Sequence, residues 1–509
     1  MDATRSTADE RRALLERLAA LERAARPLEP GASRRRAVRE PVLAYAERFL
    51  RHIDELPAYV ETEDKGRGLL DSPIGERPIG VREALDLLRH NVDRPGLNAA
   101  SGGHLAYVPG GGIYHAALGD YLAAVTNKYA GIFFTGPGPV RMENQLLRWM
   151  ADLVGYPETA GGNLASGGSI ANLIAVTTAR DAHGLKGAEF ARSVVYLTAQ
   201  AHHCVDKALR VAGLGEAIRR TVPMDARHRM VPDALAAAIA DDRANGLRPW
   251  LVVASAGTTD VGAVDPLDAI GEIAAREGCW YHVDAAYGGF FLLTDAGRGL
   301  MRGIERADSI VMDPHKGLFL PYGLGVVLVR DRAHLLAAHH YQANYMQDAR
   351  RDASEISPAD VSPELTKHHR SLRLWLPLKL VGVAPFRAAL EEKLLLARYF
   401  HERVAELGFE VGPPPELSVV TFRHVPTRGL PAAEPARLAA INACNQRLVE
   451  AIRRDGRVFL SSTTLDGRYT VRMVALAFRT HRRTVDLALR ILEEQVAMAE
   501  AAATTTGGT

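Results

Sequence analysis

Residues 308–323 read DSIVMDPHKGLFLPYG, and the placing of one lysine within them governs how the rest of the chain is read. The apolar run Ser309-Ile310-Val311-Met312 has the length and composition of a buried strand. Asp313-Pro314 breaks that strand, since proline donates no ladder hydrogen bond and restricts the residue before it. His315 and Lys316 are therefore delivered at the strand's exit, the edge of an open α/β sheet where ligands bind. Taken alone, Lys316 reads as a solvated surface lysine, because lysine is seldom buried. What changes that reading lies elsewhere in the chain.

Working outward, the span Asn163 to Arg330 alternates strand and helix periodicities. Strands are expected at 193–198, 217–222, 250–255 and 280–284, with helices at 169–184, 202–213, 232–246 and 266–278. Strands recurring in this way, separated by helices, imply crossover units and a mostly parallel sheet. The strand ends carry polar groups that packing does not require. Gly167-Gly168-Ser169 opens a helix and is either a plain N-cap or a cradle for an anion such as phosphate. Asp284 closes the strand WYHVD and is either a helix cap or a charge partner for a ligand; His202 follows the strand at 193–198 and projects from the same edge. An anion cradle, a flat imidazole, a carboxylate and a lysine together match what pyridoxal 5'-phosphate requires, and jointly they displace the surface reading of Lys316.

The 509 residues exceed what one core usually supports, and 47% hydrophobic residues suffice for several. A formal charge of +2 offers no global field for nucleic acid or an anionic membrane. Three cysteines, Cys204, Cys279 and Cys444, give neither a disulfide framework nor a metal-ligand spacing. With no apolar leader and no long apolar run, a cytoplasmic protein is expected, with no membrane and no metal. Residues 1–100 carry three amphipathic helices (8–26, 38–56 and 81–88) that make a poor core of their own, so they read as an arm that packs on something else. Residues 101–383 form the large domain, with a polar, aperiodic stretch at about 339–371 read as a mobile lid. Residues 384–499 read as a smaller α+β domain with strands at 418–423, 457–461 and 469–476. The tail 500–509, AAATTTGGT from 501, is expected to be disordered.

HVDAAYGG (282–289), DPHKG (313–317) and QAHHCVDKA (200–208) resemble the group II pyridoxal-phosphate amino acid decarboxylases, the family of the aromatic amino acid, histidine and glutamate enzymes. The resemblance runs from about residue 35 to 495. It implies fold type I, with a large, mostly parallel seven-stranded α/β domain, a small C-terminal α+β domain, and a helical N-terminal arm that embraces the partner in a homodimer with sites at the interface. Carried over by motif, Lys316 resembles the lysine that bonds to the cofactor, Asp284 the partner of its ring nitrogen, and His202 the histidine stacked on the ring. Gly168, Ser169 and His315 match phosphate-side positions, while Thr258 and Ala286 match residues beside the ring. Tyr345 resembles the lid tyrosine that returns a proton to the substrate's α-carbon. Tyr107 in AYVP, Phe133 and Arg472 match substrate-side positions, Phe133 as an aromatic reaching the other subunit's site.

Decarboxylation of an L-amino acid, aromatic for choice (tryptophan, phenylalanine or tyrosine), is the function this implies. Aromatic walls favour such a side chain, and Gly110-Gly111-Gly112, where relatives carry larger residues, suggests a roomier pocket. Leu324 also departs from the pattern, where a small residue is expected. Glutamate or histidine decarboxylation, an aromatic aldehyde product, a lyase of the same fold and a non-catalytic cofactor-binding regulator remain as alternatives.

Overall fold

Ser309–Met312 is a fully buried strand inside a seven-stranded sheet. In the computed structural model, which describes residues 2–340 and 355–506, that sheet consists of β1 (Gly161–Ala165), β2 (Ser193–Leu197), β3 (Ile218–Thr221), β4 (Arg248–Ser255), β5 (Trp280–Asp284), β6 (Ser309–Met312) and β7 (Gly325–Val329). Their order across the sheet is β1-β7-β6-β5-β4-β2-β3, and only the pairings of β7 with its two neighbours are antiparallel. Alternate residues feed two cores: Val194, Val252, Val283 and Ile310 join one, Val195, Val253, Val311 and Val327 the other. A mostly parallel sheet buried on both faces by crossover helices is the expected solution for such apolar strands.

β1 and β7 were absent from the sequence reading. β1 is GGNLA, whose two glycines and asparagine disguise a strand buried over its last four residues. β7 is GVVLV, an apolar run as legible as β6 but overshadowed by the lysine segment before it.

A second, antiparallel sheet follows, with β8 (Glu410–Val411), β9 (Val419–Arg423), β10 (Ser461–Leu465) and β11 (Arg468–Val474) in the order β8-β9-β11-β10. The strand expected at 457–461 begins only at Ser461, because Phe459 instead pairs with His104 in an isolated bridge. The expected division near residue 383 falls between the helices Ser371–Val381 and Ala384–Glu406, yet both sheets lie in one compact unit, Pro57–Tyr59 with Leu97–Thr509. Tyr287 Oη and Ser418 Oγ, 2.6 Å apart, tie the large sheet's edge to the small domain. The last helix runs Arg482–Thr506, so the tail is helical to Thr506; alanine, the strongest helix former, dominates its approach.

Met1–Leu56 and Val60–Gly96 form a separate compact unit. Its helices are Asp2–Ala25, Ala32–His52 and Val81–Leu88, and the last two contain no buried residue. Leu14, Leu15, Leu18 and Leu21 are all more than half exposed.

Of the stretch read as a lid, residues 341–354, Tyr345 among them, lie outside the described residues. The later portion, residues 355–371, is pinned rather than loose. Lys367 Nζ donates to Glu143 Oε1 at 2.8 Å with both side chains buried, Asn144 Nδ2 donates to Glu355 Oε2 at 2.7 Å, and Arg370 Nη1 donates to the Leu164 carbonyl at 2.9 Å. Buried charges are tolerated only when paired in this way, so polarity here marks anchoring, not mobility.

Candidate active site

The carboxyl ends of β2, β4, β5 and β6 open onto a cavity of about 380 Å³. Lining it are Gly168 and Ser169 from the loop and helix after β1, His202 from the loop after β2, Thr258 after β4, Asp284 and Ala286 after β5, and His315 and Lys316 after β6. All eight residues carried over as catalytic or cofactor-binding, Tyr345 aside, therefore converge on one site. Gln200, Asn172, Cys204, Asp313 and Tyr322 line it as well, and sequence reasoning had given none of them a role.

β6 delivers Lys316 through a single helical turn, Pro314–Gly317, which proline opens because its fixed φ suits a first helical position. The ammonium sits 2.9 Å from Asp313 Oδ2, a carboxylate 1% exposed. Burial works against the charged amine, but Asp313 and Asp284 outweigh it and hold Lys316 above its ordinary pKa. His315 turns the other way: its Nδ1 donates to the Leu324 carbonyl at 2.6 Å, and burial keeps its imidazole below the usual range. Leu324 itself is fully buried in the main core, so the departure there is a packing change.

The cradle before the helix Gly168–Ala182 is built by close approach. Gly167 takes φ +153° and ψ 174°, a conformation essentially reserved for glycine. A Cβ on Gly168 would stand 2.8 Å from Asp313 Oδ2, and one on Gly325 would stand 2.6 Å from Asp313 Oδ1. Such a helix start presents N–H groups with no partner in the helix, the usual seat of a phosphate.

Asp284 is 8% exposed, and its Oδ1 accepts from the Ala286 N–H at 3.1 Å. Among the described residues no salt bridge reaches it, so a buried carboxylate awaits a cation, and a protonated ring nitrogen supplies one. Asp313 Oδ1 is likewise buried without a hydrogen-bond partner. Burial pushes the His202 imidazole below its ordinary pKa, with His203 and Lys316 adding to the fall and Asp284 opposing it. The ring is thus suited to lie flat and uncharged against a ligand. These features fit pyridoxal phosphate: a cradle for its phosphate, a carboxylate for its ring nitrogen and an amine for its aldehyde carbon.

Residues 94–425 match the pyridoxal-dependent decarboxylase conserved domain. The chain belongs to the pyridoxal-dependent decarboxylase family. It is 34% identical over 436 residues to an aromatic-L-amino-acid decarboxylase of Bacillus atrophaeus, covering 85% of this chain and 88% of the relative. It is also 30% identical over 406 residues to tryptophan decarboxylase 2 of Oryza sativa subsp. japonica, covering 77% and 80%. The crystal structure of the Oryza sativa TDC with PLP and tryptamine superposes with a TM-score of 0.85 at 26% identity, over 92% of this chain and 99% of that one. As a member of this family the chain is a decarboxylase that uses pyridoxal phosphate.

The substrate-side residues are less well gathered in this decarboxylase. Tyr107 is 56% exposed and stands near Phe459, outside the cavity lining. Phe133 is 3% exposed beneath the Arg141 guanidinium, 5.1 Å from its ring centroid; the ring presented to solvent is its neighbour Phe134. Arg472 is committed elsewhere: its Nε donates to the Asp260 carbonyl at 2.8 Å, Nη1 to Ser461 Oγ at 2.8 Å, and Nη2 to the Thr259 carbonyl. Those contacts make it a brace under the 258–260 turn and not a free anion binder. Nor do the three glycines enlarge the pocket. A Cβ on Gly110 would meet the His315 carbonyl at 2.0 Å and the Leu320 carbonyl at 2.4 Å, and one on Gly111 would meet the Phe478 ring at 2.9 Å. Gly110 is small so that its loop can press against the lysine segment and Gly111 so that it can pass the Phe478 ring, whereas Gly112 meets only Pro321 Cγ, at 4.0 Å, and takes φ +65°.

Proposed function

We propose that this enzyme decarboxylates an aromatic L-amino acid to the corresponding amine and carbon dioxide. The observation that carries the reading is the cavity itself. Among its described lining residues there is no arginine to receive a second carboxylate, and the nearby Arg472 is already spent on backbone carbonyls and a serine. The aromatic-amino-acid and tryptophan decarboxylases to which the chain is similar support the same class.

In this reading pyridoxal phosphate, bonded to the substrate amine, supplies an electron sink for the pair left when carbon dioxide departs. Lys316 holds the cofactor until substrate arrives. Asp284, ionised, keeps a proton on the ring nitrogen and so deepens the sink. His202 covers one face of the ring; Gly168, Ser169 and His315 hold the phosphate; Thr258 and Ala286 border the ring. Tyr345 returns the proton to the α-carbon and so directs the outcome to amine rather than aldehyde. Tyr107 borders the substrate, and Phe133 reaches the site of a second subunit.

The enzyme works as a homodimer in this proposal, supported by an apolar stripe on the helix Tyr114–Thr126, where Tyr114, Leu118, Tyr121, Leu122 and Val125 are exposed. The exposed leucines of the N-terminal unit are the surface an embracing arm would bring. No helix of the described residues is long and apolar enough to cross a membrane, and three free cysteines suit the reducing cytoplasm.

The test is a panel of L-amino acids offered to the purified holoenzyme, with products read by mass spectrometry. Tryptamine, tyramine or phenethylamine with carbon dioxide is expected. Aldehyde with ammonia would overturn the role of Tyr345, and turnover confined to glutamate or histidine would overturn the substrate class.

A further inference from the structure

β5 places Trp280, His282 and Asp284 on one face, two residues apart, and a hydrogen-bond chain runs along that face toward the cavity. Trp280 Nε1 donates to Ser309 Oγ at 2.8 Å, Ser309 Oγ lies 2.8 Å from His282 Nδ1, and His282 Nε2 lies 2.9 Å from Asn172 Oδ1. Asn172 Nδ2 then reaches the Gly168 carbonyl at 3.0 Å and Asp284 Oδ2 at 3.4 Å. Every link is buried: Asn172 and Ser309 are fully enclosed, His282 is 1% exposed and Trp280 4%.

The direction of this chain is fixed from both ends. The Gly168 carbonyl and the Asp284 carboxylate are acceptors only, so the amide nitrogen of Asn172 must face them and its oxygen must face His282. His282 therefore carries its hydrogen on Nε2. Burial pushes that imidazole down to about 4, so it is neutral and its Nδ1 is an acceptor. Ser309 must donate to Nδ1, which leaves its oxygen free to accept from the indole, a group that can only donate. No member can reverse without setting two like groups against each other.

We propose that Asn172, oriented by the one-way relay from Trp280 through Ser309 and His282, is the positioning residue that holds Asp284 at a set place relative to the phosphate cradle. Its amide bridges the first turn of the cradle helix and the carboxylate, which are the two ends between which the cofactor must fit. The inference rests on the reading of Asp284 as the partner of the ring nitrogen. Other groups facing Asp284 are His202 and Cys204 from the segment after β2 and Lys316 and Asp313 from β6; Cys204 Sγ lies 3.9 Å from Oδ2 and 3.4 Å from Asn172 Nδ2.

The experiment titrates pyridoxal phosphate into the cofactor-free forms of the wild type, Asn172→Asp and Ser309→Ala by absorbance. Folding of each is verified by circular dichroism. Asn172→Asp keeps the shape but sets a second carboxylate against Asp284. Its Kd should rise about tenfold or more, as expected for a lost hydrogen bond to a charged group. Because protonation of the introduced carboxyl removes the repulsion and restores a donor facing Asp284, its Kd should also recover toward wild type as pH falls from about 8 to about 6. Ser309→Ala, distant from the cofactor, frees His282 to change tautomer and should weaken binding in the same direction by a smaller factor. Wild-type Kd and wild-type pH dependence in folded Ser309→Ala and Asn172→Asp overturn the relay; should Asn172→Asp not fold, Ser309→Ala alone decides. A wild-type chain that takes up no pyridoxal phosphate overturns instead the site reading on which the relay rests.

Discussion

Lys316 is held by the carboxylates around it. Asp313 lies 2.9 Å away and, with Asp284, keeps the amine protonated above its ordinary range despite burial. A protonated amine cannot attack an aldehyde, so the rate at which the cofactor-free enzyme bonds pyridoxal phosphate should rise with pH through the neutral and alkaline range. Asp313→Asn removes the stronger of the two raising charges and leaves desolvation in control, so the rise should move to lower pH. Stopped-flow absorbance on mixing measures both, and a pH-independent rate for the wild type would refute the assignment of Lys316. At Asp284 the expected loss is catalytic. Asp284→Asn should cost roughly 3 kcal/mol or more of transition-state stabilisation, the scale of one preorganised charge in a dry site, while thermal melting stays close to wild type. The sequence made these two residues legible only as a set, Asp284 closing one apolar strand and Lys316 delivered just past the end of another, with Ser169 and His202 at the same edge. Asp313 and Asn172 stayed hidden. One reads as the residue before a proline, the other as an ordinary polar position in an amphipathic helix, and only the fold shows what each faces.

At the scale of elements, the cradle is a meeting of three backbones, the loop after β1, the exit of β6 and the start of β7, and glycine allows them to touch. A Cβ on Gly325 would stand 2.5 Å from the Gly167 carbonyl carbon and 2.6 Å from Asp313 Oδ1. Gly325→Ala should therefore destabilise by about 1–3 kcal/mol through overpacking and also displace Asp313. A lowered melting temperature together with weaker cofactor binding is the expected pair; a variant with both values unchanged would show that the strands can part without consequence. This contact is invisible in the sequence, since β1 and β7 are distant in the chain and the glycines of β1 disguise it as a loop. By contrast β5 and β6 were read to the residue, because a short apolar run closed by Asp has few other interpretations. The later half of the supposed lid was misread for a related reason. Lys367, Glu364 and Arg370 look like solvated residues until Glu143 and the Leu164 carbonyl are found opposite them.

For the molecule as a whole, two quantities join distant parts. His104 and His282 are both buried and both pushed down to about 4 by desolvation. Unfolding lets each take up a proton at its ordinary pKa near 6.5, so their neutral burial contributes stability that is complete above that value and is lost as pH falls toward 4. The linked loss is roughly 3 kcal/mol for each histidine. Thermal unfolding followed between about pH 7 and pH 4.5 should show a steep decline accompanied by proton uptake, and a flat profile would contradict the neutral state of both.

The second whole-molecule quantity is assembly. The helix Tyr114–Thr126 packs one side against the helix Ser371–Val381 so closely that a Cβ on Gly119 would lie 2.7 Å from the Leu372 carbonyl, and Arg373 pairs with Asp120 at 2.8 Å. The opposite side, Tyr114, Leu118, Tyr121, Leu122 and Val125, repeats at helical spacing and is left to solvent. A stripe of this kind is costly unless covered, and a second copy presenting the same stripe would cover both. Sedimentation should accordingly give twice the 55.2 kDa of the chain. Replacing Leu122 and Val125 together by aspartate places four like charges across a two-fold interface, and the expected result is a folded monomer with little decarboxylase activity. Full activity in that monomer would show that each chain completes its own site, and a wild-type monomer at micromolar concentration would remove the dimer from the proposal altogether.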